Sequence, residues 1–130
     1  MRRFFRALNE RDFDRVAGSV AETCEYVSMP SGAVARGYAE ILAGLRSFAG
    51  AFPDWHVEIE SLIASDPYVV VEWRVSGTHE GEFRGHPATG RRFERRGCSV
   101  AEISGGKIRR YRDYFDRMTL LEQLGLAVVL

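Results

Sequence analysis

The sequence predicts an α+β domain, a bent antiparallel sheet with helices packed across one face, and three observations predict it. Apolar residues at helical spacing are confined to the start of the chain, one internal stretch and the end. Period-two alternation occupies most of the remainder, and the strand–helix–strand alternation of a parallel sheet is missing. With 130 residues, 45% of them hydrophobic, the chain fits one domain, 1–130, whose core needs no disulfide or metal staple.

Phe4, Phe5, Leu8, Phe13 and Val16 recur at helical spacing, and Asp12 can cap a second short helix. Cys24 to Met29 turns strand-like, Pro30 stops it, and Ser31-Gly32 makes a turn. Tyr38, Ile41, Leu42, Leu45 and Phe48 then form one stripe of an amphipathic helix that follows Gly37 and fades near Gly50, which reads as a long core helix.

Past Pro53 the period becomes two. Trp55, Val57 and Ile59 alternate with His56, Glu58 and Glu60, and the run continues to about Ala64. Asp66-Pro67 supplies a turn into a strand from Tyr68 to Thr78, with Val69, Val71, Trp73 and Val75 on one face and Val70, Glu72, Arg74 and Ser76 on the other. A Gly-rich connection runs from Gly77 to Gly90. Residues 92 to 103 and 107 to 115 make two more strands, joined by Ser104-Gly105-Gly106, whose glycines can take positive φ. Asp116 is a good N-cap for a last helix that carries Leu120, Leu121 and Leu124 on one stripe and stops at Gly125.

Charge and motifs exclude several classes. Lys plus Arg equals Asp plus Glu at 18 each, so no net field attracts nucleic acid or an anionic membrane, and a neutral or weakly charged partner is expected. The arginines from Arg84 to Arg96 interleave with Glu82 and Glu94 and form no basic stripe. Cys24 and Cys98 lie far apart without ligand spacing and read as buried thiols of a reducing compartment. No stretch approaches the ~20 apolar residues that span a bilayer, so a cytoplasmic protein is expected. Neither a dinucleotide fingerprint, a P-loop nor a serine-nucleophile elbow occurs.

A bent sheet under helices leaves a hollow where a small molecule can bind. In the strand ending at Phe115, Arg109, Tyr111, Asp113 and Phe115 share a face, which sets Asp113 between two aromatics. A carboxylate there loses hydration and rises in pKa toward the range a general acid or base needs, unless one of the nearby arginines neutralises it in a surface pair. Tyr26 and Ser28 share a strand face, as do Arg74 and Ser76, and each pair is a candidate to hold a water or a substrate oxygen. His79 could assist Asp113 from the pocket mouth or be a solvated loop residue. Trp55, Trp73 and Phe83 either line the cavity or fill core. No His, Cys and carboxylate spacing fits a metal site, and no cofactor is expected.

The segment Gly77-Thr78-His79-Glu80-Gly81-Glu82-Phe83 through Pro87-Ala88-Thr89-Gly90-Arg91, then Gly106-Lys107-Ile108 and Gln123-Leu124-Gly125, resembles the SnoaL-like polyketide cyclases over nearly the whole chain. That resemblance implies the nuclear transport factor 2-like fold, a cone of curved sheet closed by helices and usually a homodimer. It also implies a cofactor-independent cyclase or isomerase in which one pocket Asp serves as acid and base in an intramolecular aldol closure of a hydrophobic, polyketide- or terpenoid-like substrate. Asp113 is the matching position, with His79 a candidate helper, and Tyr26, Ser28, Trp73, Arg74, Ser76, Phe83 and Tyr111 candidate substrate contacts. Tyr26, Arg74 and Asp113 are also similar to the limonene-epoxide hydrolases, but Ser28 and Ser76 stand where that pattern has Asn and a second Asp. A binding module without catalysis is the alternative of another class.

Overall fold

The computed structural model describes residues 1–126; residues 127–130 of the expected domain lie outside them. The chain begins with two short helices, α1 (Arg2–Asn9) and α2 (Phe13–Ser19), and enters a hairpin of β1 (Val20–Ser28) and β2 (Ala33–Arg36). Helix α3 (Gly37–Ala51) follows, then the strands β3 (His56–Ser65), β4 (Tyr68–Thr78), β5 (Arg92–Ser104) and β6 (Lys107–Phe115), and finally α4 (Arg117–Gln123). No helix among the described residues is long and apolar enough to cross a membrane.

The six strands form one sheet in the order β2-β1-β6-β5-β4-β3. Consecutive strands β3 to β6 pair antiparallel, as the alternation predicts. Strand β1 lies outside that meander and runs parallel to β6, a departure from the antiparallel sheet expected. The physical reason is that no hairpin turn joins these two strands, so α3 and the intervening meander set the direction in which they meet. The four-residue β2 was not expected either; it is short and mostly exposed, and carries no alternating apolar signal. Register shifts between Ile59 and Ser61 in β3 and between Glu102 and Ile103 in β5 interrupt the ladder, and irregularities of this kind favour local bending.

Local chemistry fixes the helices on the concave face. Asp12 caps α2 by accepting from the Arg15 backbone N–H, and Asp116 caps α4 by accepting from that of Met118. The Asn9 side chain exchanges two hydrogen bonds of 2.8 Å with the backbone of Val57, pinning α1 to the edge strand β3. The core gathers Phe4, Phe5, Val16, Phe52, Val71 and Leu124 between helices and sheet. Helix α3 differs from the core helix expected. Of its residues only Ala51 is buried, and the stripe Tyr38, Ile41, Leu42, Leu45 and Phe48 stays half-buried because much of it roofs a hollow instead of filling a core.

Candidate functional site

Beneath α3 lies a cavity of about 370 Å³, within the size range of small-molecule sites. Asp113 projects into it from β6, two residues from Tyr111 and two from Phe115, all three on the inner face. Parallel pairing sets Tyr26 beside Tyr111 and Ser28 beside Asp113. The Tyr26 and Tyr111 rings therefore stack at 5.8 Å, and the Tyr26 hydroxyl donates to Asp113 Oδ2 at 2.5 Å. On the other side β5 sets Ser99 opposite Asp113, and the Ser99 hydroxyl donates to Oδ1, also at 2.5 Å. Ser99 in turn accepts from Trp73 Nε1 at 2.7 Å, so a chain of donors runs from the indole to the carboxylate.

Gly97 is what lets the indole lie there. A Cβ at position 97 would come within 2.3 Å of the Trp73 ring, closer than any side chain tolerates.

Burial dominates the electrostatics. Loss of hydration pushes the Asp113 carboxyl above its ordinary range, and the hydrogen bonds from Ser99 and Tyr26 and the charge of Arg95 pull the other way without reversing it. Burial, then the neighbouring Asp113 charge, pushes the Tyr26 hydroxyl up, so Tyr26 remains a donor at any physiological pH. Burial likewise holds Tyr111 protonated. Arg95 is held down to about 10 by burial against the opposing pull of Asp113, and stays cationic. Burial raises the Cys24 thiol, which lines the cavity, to about 11 and leaves it unreactive as a thiolate.

The structure brings together Tyr26, Ser28, Trp73, Phe83, Tyr111 and Asp113, which all line the cavity. Arg74 and Ser76 are elsewhere. They lie on the opposite face of β4 from Trp73, and Arg74 contacts Glu58 at 2.6 Å and Glu94 at 3.8 Å. Strand alternation forbids consecutive residues such as Trp73 and Arg74 from reaching the same hollow. With Arg74 outside, only Tyr26 and Asp113 of the epoxide-hydrolase-like set meet in the cavity.

His79 is fully buried instead of solvated at the mouth, and it is not part of the cavity wall. Its Nδ1 accepts from the Thr89 backbone N–H at 3.2 Å, and its ring packs 5.5 Å from that of Phe52. His79 thus anchors the 79–91 connection under Phe83. Trp55 also lines the cavity. Two residues of the site carried no motif. Ser99 and Arg95 share the inner face of β5 with Phe93 and Gly97, and period-two counting from Phe93 was the only signal for them. Among the described residues no three His, Cys, Asp or Glu side chains gather to hold a metal ion.

The family model of the SnoaL-like polyketide cyclases matches residues 1–124. Aklanonic acid methyl ester cyclase DnrD of Streptomyces peucetius is 37% identical over 70 residues, a stretch that covers 54% of this chain and 48% of that one. The match thus spans about half the length of that curated relative. Among solved structures, TsrD from Streptomyces laurentii superposes with a TM-score of 0.86 at 28% identity, covering 98% of this chain and 92% of that one. AclR from Streptomyces galilaeus superposes with a TM-score of 0.84 at 24% identity, covering 96% and 92%, and shows the same fold. A curved sheet under helices, a cavity between the layers and a family match over almost the full length agree: the chain belongs to the SnoaL-like polyketide cyclase family.

Proposed function

We propose that the chain is a cyclase that closes a ring in a hydrophobic, polyketide-like substrate with Asp113 as both base and acid and with no cofactor. The observation that carries this reading is the setting of Asp113: a carboxylate in an apolar cavity, held by two hydroxyls instead of a counter-ion and raised in pKa by lost hydration. In the proposed reaction the Asp113 carboxylate takes a proton from a carbon next to a carbonyl. The enolate carbon attacks a second carbonyl of the same molecule, a carbon–carbon bond forms, and the second oxygen becomes an alkoxide. Protonated Asp113 then returns its proton to that alkoxide, so product and substrate are isomers of equal mass. Ser28 and Tyr26 would position oxygens, and Trp73, Phe83 and Tyr111 would hold the carbon skeleton.

Aklanonic acid methyl ester, named for the relative DnrD, is the first compound to offer the protein. Turnover appears as a new chromatographic species of unchanged mass. Asp113→Asn should lower kcat by a factor on the order of 10² or more, the usual contribution of a general acid–base group. Turnover by Asp113→Asn at the wild-type rate would remove Asp113 from the chemistry.

A further inference from the structure

One cation in the cavity, Arg95, makes no side-chain hydrogen bond or ion pair among the described residues. Arg95 projects from the inner face of β5 into the same hollow as Asp113, and its guanidinium lies 4.2 Å from the Phe115 ring centroid and 5.9 Å from that of Phe93. Aromatic faces hold a guanidinium in place without using its N–H groups. Among the described residues no carboxylate or carbonyl accepts from Arg95, and its Nε is buried with no hydrogen bond. A buried donor left unmade costs free energy, and a guanidinium that lines the cavity with hydrogen-bonding capacity to spare suits an ionised oxygen. Arg84 and Arg117 line the same cavity, so its charged wall holds three arginines against Asp113 and Glu40.

We propose that Arg95 is an anion subsite that binds a negatively charged oxygen of the substrate, a carboxylate or an enolate, on the far side of the reacting carbon from Asp113. This rests on the cavity being the substrate site, and it narrows the expectation of a neutral or weakly charged partner to one that carries a single anionic oxygen. A carboxylate would be anchored there in the ground state. An enolate oxygen, formed as Asp113 removes the proton, would be stabilised there as its charge develops, which makes Arg95 an electrostatic partner of the base. Asp113 and Arg95 feel each other's charge, but the carboxylate's hydrogen bonds come from Tyr26 and Ser99, which leaves the guanidinium donors to a ligand.

The test is a binding comparison that needs no turnover. 1-Naphthoate and 1-naphthamide, of nearly equal shape, are titrated into the protein by calorimetry, and 2-naphthol is added as an enolate mimic whose ionisation is read by absorbance. The anion subsite predicts that wild type binds naphthoate about tenfold or more tightly than naphthamide, as a charge-assisted hydrogen bond implies. Arg95→Met should erase the preference and Arg95→Lys should retain part of it. Asp113→Asn should strengthen naphthoate binding by removing the opposing charge. Naphthol bound as naphtholate in wild type, but not in Arg95→Met, identifies the enolate role; naphthol bound neutral beside a strong naphthoate preference identifies the carboxylate role. Equal affinities for naphthoate and naphthamide in wild type would overturn the proposal whatever the variants do, and so would a preference that survives Arg95→Met. Loss of naphthoate binding in Asp113→Asn would overturn it as well, by placing the acid on Asp113. None of these readings depends on whether Asp113 catalyses a cyclisation, which the turnover experiment decides separately.

Discussion

On the outer face of the sheet Arg74 contacts Glu58 at 2.6 Å and Glu94 at 3.8 Å, and Arg96 contacts Glu60 at 2.9 Å; on the inner face of the same sheet Asp113 and Arg95 have, among the described residues, no opposite charge within ion-pair distance. The outer charges are wet, and exposed pairs of this kind add little to stability. The inner charges have given up hydration without a counter-ion, and two hydroxyls and two aromatic rings stand in for one. Unpaired, dehydrated charges of this kind cost stability, and that cost is the reason the proposed chemistry is assigned to the inner face. The same residue types, one position apart along a strand, therefore play unrelated parts.

The largest break in this comparison is Asp113→Asn, which should remove catalysis as described while leaving the fold intact, because the amide fills the same volume between Tyr26 and Ser99. Ser99→Ala should come next. It strips a donor from the carboxylate and orphans the Trp73 N–H, at a cost of about 1–3 kcal/mol in denaturant unfolding. Its effect on pH dependence has a definite sign. The base must be ionised to act, so activity rises as pH climbs through the Asp113 pKa. The Ser99 hydrogen bond holds that pKa down against burial. Without it, the acid limb of the pH–rate profile should move to higher pH; a limb that stays in place, or moves down, would show that Ser99 does not tune the carboxylate. The smallest effect belongs to the outer face. Arg74→Ala should leave turnover and melting temperature at wild-type values, and a loss of kcat there would mean that the two faces are not as separate as the geometry makes them.

The strands were legible because their alternation is strict: the bounds Tyr68 to Thr78 hold as read, and the face shared by Tyr111, Asp113 and Phe115 is the inner one. The capped helices at Asp12 and Asp116 were legible for the same kind of reason, a short-range hydrogen bond that two or three residues specify. What sequence could not show was register between strands far apart in the chain. Tyr26 reaches Asp113 only because β1 lies parallel beside β6, and Trp73 reaches it only through Ser99 on an intervening strand. Arg95 was hidden in a run of alternating charges, although its place two residues from Phe93 puts it on the apolar face. His79 looked like a loop residue because glycines surround it. Gly81 in fact lets that connection press against the end of α3, where a Cβ would meet Gly50 O at 2.1 Å.

Everything in the site follows from an inward-facing carboxyl that burial makes hard to ionise. The most direct test is a carbon-13 NMR pH titration of the Asp113 carboxyl in the unliganded protein, assigned by comparison with Asp113→Asn. The structure predicts a midpoint clearly above that of an ordinary aspartate, displaced upward again in Ser99→Ala. A midpoint at or below the ordinary value would make Asp113 a stabilised anion of the fold and contradict its assignment as the base.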